Sequence, residues 1–265
     1  MANQKEKINI LGLDGKEKES IDLPDVFSIT PRLDLIERAV ISTEAAQKQP
    51  QGRNPLAGKR NTALSWGTGF ASARVPRLRG SGYPGARSAA FAPGVVGGRV
   101  AHPPRAEKVT IKRINRKEKQ LALLSAISAT EKRNLVQKRG HAIEKISSLP
   151  IVIDDKLQTL KKTSQVIDVF EKIGLIDEMA RVKNSVTIRA GKGKRRGRKY
   201  KRRRGPLVVI KENFGIYKAA RNIPGVEVVK IDNLNCNLLA PGTHSGRLVI
   251  WTQSAFKSLN KYEVN

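Results

Sequence analysis

Residues 47 to 108 contain ten glycines and seven prolines and carry no sustained period of 2 or 3.6. Neither a ladder-bonded strand nor an amphipathic helix propagates through such a stretch, because proline removes amide donors and glycine raises the entropic cost of order. At 62 residues it is also far longer than an ordinary connection between elements. The chain must therefore build a conventional domain that is interrupted by a segment either disordered or ordered by something outside it.

The same stretch holds eleven Lys/Arg against the single acid Glu107, a net +10, and Arg189 to Arg204 holds eleven against none. Together they carry +21 of the formal +28 and leave +7 for everything else. Dense unpaired cations repel one another unless a polyanion neutralises them, so nucleic acid is the expected partner. About 190 residues remain, enough for one buried core. They offer no apolar run of about eighteen residues to span a bilayer, and Met1 to Lys7 is polar, so a soluble, intracellular chain with no membrane partner is expected. The one cysteine, Cys236, excludes an internal disulfide and a multi-cysteine metal site and reads as a small core residue.

Outside the irregular stretch the pattern is regular. Residues 7 to 23 alternate polar and apolar around Asp14-Gly15, which predicts a hairpin of two short strands. Thr30-Pro31 supplies an N-cap and a first helical position, and Leu33, Ile36, Ala39 and Val40 form a helical stripe running to about Gln47. Order resumes near Arg116 with a helix carrying Leu121, Leu124 and Ile127 and ending near Gly140. Ile151 to Asp154 then reads as a short buried strand, and Val166, Val169, Phe170 and Ile173 mark another helix. After the basic run, strands at Leu207 to Ile210, Val226 to Val229 and Leu248 to Trp251 alternate with helices over Gly215 to Arg221, near Asn235, and around Phe256 and Leu259. Short Val/Ile runs separated by helices argue for a parallel sheet covered on both faces. The expected fold is α/β, a three-layer domain with about four mainly parallel strands, made from residues 1–47 and 109–265. Residues 48–108 form an extended, non-globular loop inserted in it, and 189–204 a basic insertion.

No local motif supports catalysis. Gly80-Ser81-Gly82-Tyr83-Pro84-Gly85 has the letters of a dinucleotide fingerprint but lacks the preceding strand, the following helix and the distal acid, and Pro84 opposes a helix start. Gly52 to Arg60 resembles a P-loop with one residue too many between its glycines and Arg60 where a hydroxyl must hold magnesium. His102, His141 and His244 have no metal-ligand spacing, so no metal, cofactor or small-molecule substrate is expected.

The two basic segments differ in kind. Arg189, Lys192, Lys194, Arg195, Arg196, Arg198, Lys199, Lys201, Arg202, Arg203 and Arg204 are nearly contiguous with Tyr200 as their one aromatic, a composition suited to tracking phosphates with little sequence readout. In the long loop Arg53, Lys59 and Arg60 come first, and between Asn61 and Arg105 every cation is arginine, Arg74, Arg77, Arg79, Arg87, Arg99 and Arg105, interleaved with Trp66, Phe70, Tyr83 and Phe91. Guanidinium planes grip phosphates by two bonds and stack on bases, and His102 can do either, so this segment is expected to fold on RNA. An RNA-processing enzyme with basic appendages would need convergent acids or cofactor-binding glycines, and a nonspecific DNA binder would not explain the interleaved aromatics.

The words Trp66-Gly67-Thr68-Gly69, Ala73 to Gly80, Gly97-Gly98-Arg99 and His102-Pro103 closely resemble the long loop of the universal ribosomal protein family numbered four in the large subunit. The resemblance continues in Asn213 to Ala220, Pro224-Gly225-Val226, Asp232 to Asn235 and Leu248 to Trp251, so it covers nearly the whole chain. The insertion at 189–204 is similar to the archaeal and eukaryotic branch, and the end at Asn265 to its archaeal form. The resemblance implies a non-enzymatic constituent of the cytoplasmic large subunit that binds its ribosomal RNA early in assembly. It also implies a loop tip lining the nascent-peptide exit tunnel beside the tip of another ribosomal protein, touching the nascent peptide in passing. Carried onto this sequence, the tip falls near Trp66 to Arg79, with Gly69, Phe70, Arg74 and Val75 facing the tunnel. Phe70 stands where relatives can carry arginine, which implies a less cationic wall there. Folded back as a hairpin, 62 residues reach at most about 100 Å at about 3.3 Å per residue, compatible with that role.

Overall fold

The computed structural model describes residues 7–262. The sequence readings of the first six residues and of the end at Asn265 lie outside the described residues. The chain divides into two units, Met1–Glu44 with Lys112–Asn265, and Ala45–Ile111.

The first unit is built on strands β1 (Lys7–Leu11), β2 (Glu17–Asp22), β3 (Ile151–Ile153), β4 (Thr187–Ile188), β5 (Tyr200–Lys201), β6 (Leu207–Ile210), β7 (Glu227–Lys230) and β8 (Val249–Thr252). Six of them form one sheet in the order β2-β1-β3-β8-β6-β7, and β4 pairs with β5 in a separate ribbon. Within the sheet β1, β3, β8, β6 and β7 run parallel, and β2 is antiparallel at the edge. The helices are α1 (Leu33–Ala46), α2 (Arg116–Ser128), α3 (Arg133–Lys138), α4 (Thr163–Lys172), α5 (Ile176–Asn184), α6 (Ile216–Arg221), α7 (Cys236–Leu239) and α8 (Gln253–Ser258).

Alternation along the central strands feeds two cores. Val152, Leu207, Val209, Val249 and Trp251 point to the face covered by α1, α2, α7 and α8, while Ile151, Ile153, Val208, Ile210 and Ile250 point to the face covered by α4 and α6. Every residue of β3, β6 and β8 is buried, which is why these strands read as unbroken apolar runs. Each such side chain contributes about 1.5–3 kcal/mol on burial. Phe27, Trp251 and Phe256 form an aromatic cluster in the first core, with ring centroids 5.7–6.5 Å apart.

The α/β three-layer reading holds, with a larger sheet than the four strands expected. The hairpin is part of it, because β1 pairs with β3 through Ile10 to Val152 and Leu11 to Ile153. A polar-apolar alternation signals one buried face but not which strand lies alongside. The helix expected from Arg116 to Gly140 is broken after Ser128, where the Ser128 hydroxyl bonds the Phe27 and Ile29 carbonyls and the Thr130 hydroxyl bonds the Ile127 carbonyl. Helix α1 begins at Leu33, two residues after the expected start, and α5 was not expected. The Ser42 hydroxyl donates to the Lys112 carbonyl at 2.5 Å, tying the two ends of the first unit that flank the second.

Candidate nucleic-acid interface

Between residues 47 and 108, among the described residues, Ala90 alone is buried, so no apolar core orders this segment. Backbone contacts do instead. The Arg53 amide donates to the Pro104 carbonyl at 3.0 Å, and Gly52 lies against Ala106, so the outgoing chain runs beside the returning one. A Cβ on Gly58 would sit 2.5 Å from the carbonyl of Gly98, and one on Gly98 would sit 2.2 Å from the Ala92 carbonyl oxygen. Glycine is required at both positions because the backbones touch.

Arg77 organises residues 64 to 89. Its backbone exchanges two 3.0 Å bonds with Leu64, it bridges Ala89 on its other side, and its Nη1 donates to the Arg87 carbonyl at 3.0 Å. Its guanidinium lies 5.9 Å from the Trp66 ring centroid, and Trp66 lies 5.9 Å from Phe70. The Ser65 hydroxyl donates to the Arg74 carbonyl at 3.0 Å and closes a small loop. Trp66, Phe70, Arg74 and Arg77 are thus brought together, with Gly69 and Val75 beside them in the chain and Phe70 61% exposed. Tyr83 donates to the Arg79 carbonyl at 2.6 Å, and the Arg99 guanidinium lies 5.7 Å from the Phe91 ring. Arg53, Lys59, Arg60, Arg74, Arg79, Arg87, His102 and Arg105 are exposed.

The basic insertion is a ribbon rather than an irregular run. Thr187 pairs with Lys201 and Ile188 with Tyr200, and the Arg189 amide continues the pairing to the Lys199 carbonyl at 2.8 Å. Arg189 itself is partly spent inside the ribbon, its Nε donating to the Arg198 carbonyl at 3.1 Å. Lys192, Lys194, Arg195, Arg196, Arg198, Lys199, Lys201, Arg202 and Arg203 are exposed.

Two guanidiniums anchor the base of the ribbon. Arg181 donates to the Arg204 carbonyl at 3.0 Å, and the fully buried Arg247 donates to the Gly205 carbonyl at 3.0 Å. Glu227 accepts from both Arg247 and the Arg204 side chain, so Arg204 has an internal partner. Burial, with repulsion from Arg204, pushes Arg247 down to about 9, which leaves it charged at neutral pH. Arg181 in turn forks onto Glu178, whose carboxylate also accepts from the Ala142 amide at 2.9 Å and meets His141 Nδ1 at 2.7 Å.

Beside this base lies an open cleft of about 1110 Å³ lined by Lys138, Arg139, Arg181, Arg203 and Arg204 and by the acids Asp34 and Glu37. Sequence reasoning missed Lys138, Arg139 and Arg181 because the first two close α3 while the third lies on α5, and together they form no run. In the crevice beyond the carboxyl ends of β3, β6 and β8, where parallel sheets commonly hold ligands, the carboxylate of Asp155 is tied up internally. Asp155 Oδ1 there accepts from the Ser254 amide, the Ser254 hydroxyl and Gln158 Nε2 at 2.7–3.0 Å. Among the described residues no group of three or more His, Cys, Asp or Glu could hold a metal ion, and no helix is long and apolar enough to cross a membrane.

The family model described as "Ribosomal protein L4/L1 family" matches residues 21–262. The "Large ribosomal subunit protein uL4" of Methanosphaera stadtmanae is 47% identical over 253 residues, covering 96% of either chain. Its namesake in Sulfurisphaera tokodaii is 47% identical over 259 residues, 97% of this chain and 95% of the relative. That of Saccharolobus islandicus is 46% identical over 253 residues, 95% and 93% of the two chains. All three organisms are archaea.

Proposed function

Because the chain belongs to the ribosomal protein L4/L1 family, a structural and non-enzymatic component of the large ribosomal subunit, we propose that it binds large-subunit ribosomal RNA through two separate basic elements. One is the irregular arm of residues 48–108, the other the ribbon and its base at 189–204. The single observation that carries this reading is the arm's composition set against its burial: ten glycines, cations that are nearly all exposed, and one buried residue among those described. Such a segment gains little from its own packing, and phosphate neutralisation and base stacking offset its conformational entropy.

The arm penetrates ribosomal RNA, assists early assembly, and presents Gly69, Phe70, Arg74 and Val75 to the nascent-peptide exit tunnel next to a neighbouring ribosomal protein. The clustering of Phe70 and Arg74 around Arg77 and Trp66 supports this, since it gives residues 64 to 89 a defined shape. The place of action is the large subunit in the cytoplasm. Deleting residues 60–90 and following subunit assembly by sedimentation tests the arm's role. Defective assembly or an altered tunnel is expected, and normal assembly with an unaltered tunnel would refute it.

A further inference from the structure

From its composition the basic insertion is a phosphate-tracking run, but its folding gives it a face that phosphate does not explain. Ile188 and Tyr200 stand directly opposite each other across the ribbon. They are 61% and 57% exposed. Side chains alternate across a strand, so the adjoining pair Thr187 and Lys201 turns to the other side, where it lines a cleft with Arg181 and Arg203. The aromatic residue of the run is thus set beside an aliphatic one, forming an apolar step amid the cations of residues 189–204. Lys199 Nζ lies 5.4 Å from the Tyr200 ring centroid, so a positive charge is fixed next to the ring.

An isolated two-stranded ribbon is marginal in water, and one this basic repels itself. A partner that covers it must supply an apolar surface and negative charge within a few ångströms of each other. A protein would have to bring several acids around an apolar patch to do so, whereas a nucleotide carries a flat π-face and a phosphate in one unit. A base inside an A-form duplex is already stacked on both sides and cannot reach the ring.

We propose that Ile188 and Tyr200 form a platform on which one unpaired base of the bound RNA stacks, with Lys199 beside it. This rests on the RNA-binding reading above and adds that the ribbon selects a single-stranded nucleotide rather than following phosphates alone.

The test uses the full-length protein bound to large-subunit ribosomal RNA. Ultraviolet crosslinking with mass spectrometry should place one nucleotide on Tyr200. Tyr200→Ala should lower affinity on the order of tenfold while Tyr200→Phe retains it, since stacking needs the ring and not the hydroxyl. The thermal midpoint should stay unchanged, because the ring is exposed. No crosslink at Tyr200, together with wild-type affinity in Tyr200→Ala and weakened binding in Arg198→Ala, would leave phosphate tracking alone and overturn the proposal. Unchanged RNA affinity with loss of a neighbouring protein from the assembled subunit would overturn it in favour of protein docking. If the wild-type protein crosslinks at neither Tyr200 nor Trp66 and shows no measurable affinity for the RNA at low salt, the RNA-binding reading itself falls.

Discussion

Arg181 and Glu178, one turn apart on α5, form a doubly bonded ion pair, with Nη2 and Nε 2.6 and 2.7 Å from the two carboxylate oxygens. Burial alone would raise the Glu178 pKa, but the bonds from Arg181 and His141 outweigh it and hold the carboxyl below its ordinary value. Burial pushes His141 down against the pull of Glu178. Both groups therefore bind fewer protons folded than unfolded, so their stabilisation is complete above the ordinary histidine value of 6.5 and is lost on acidification. The loss begins with His141 below 6.5 and continues with Glu178 below 4.5. Urea midpoints measured at constant ionic strength should fall over that range. Glu178→Gln should abolish the part of the loss below 4.5, deepen the part due to His141, and cost about 3–5 kcal/mol at neutral pH, because it leaves Arg181 and its neighbours without their countercharge. A flat wild-type profile would contradict the assignment.

Gly225→Ala should destabilise the ribbon's base. Gly225 has φ +75°, its carbonyl accepts the Gly205 amide at 3.0 Å, and an added Cβ would lie 2.4 Å from Val182 Cγ1. Overpacking costs about 1–3 kcal/mol, and left-handed strain about 1–2 more. Combining it with Val182→Ala should recover the overpacking part and leave the strain. Additive losses in a double-mutant cycle would show that the contact does not matter.

Arg77→Lys keeps the charge but removes the planar group that reaches the Arg87 carbonyl and the Trp66 face. Loss of the ring contact is worth about 0.5–1 kcal/mol at an exposed site. Hydrogen exchange at the Leu64 amide should accelerate severalfold, while amides of β6 and β8 remain as protected as in the wild type. Equal protection at Leu64 in both proteins would argue against Arg77 as the organiser of this stretch.

Affinity for large-subunit ribosomal RNA should fall about a thousandfold to a hundred-thousandfold between about 50 and about 200 mM salt if even six to ten cations meet phosphates. A direct titration across that range measures it. A shallow slope would mean that the exposed cations face solvent in the complex. Equal affinity for duplex DNA would favour a nonspecific binder.

The buried strands were legible in the sequence because β3, β6 and β8 are covered on both faces and therefore appear as apolar runs. The partner of β1 was not, since Ile10 lies opposite Val152, far away in the chain, and pairing across such a distance leaves no local trace. The break after Ser128 was hidden for a similar reason: the Ser128 hydroxyl there bonds carbonyls at Phe27 and Ile29, far away in the chain. In the candidate interface the cationic runs and the arm aromatics were plain, being contiguous. The basic cleft with Arg139 and Arg181, and the meeting of Ile188 with Tyr200, depend on chain reversal and emerge only once the elements are placed.

The bond from the Ser42 hydroxyl to the Lys112 carbonyl means that the chain leaves the sheet-bearing unit and comes back to it at one point. The arm is then a closed excursion, and its length is almost a free variable for the fold that carries it. Doubling such an excursion costs only about 0.6 kcal/mol in closure entropy. Insertions and deletions within it can therefore change its length while the sheet and its two cores stay as stable as before.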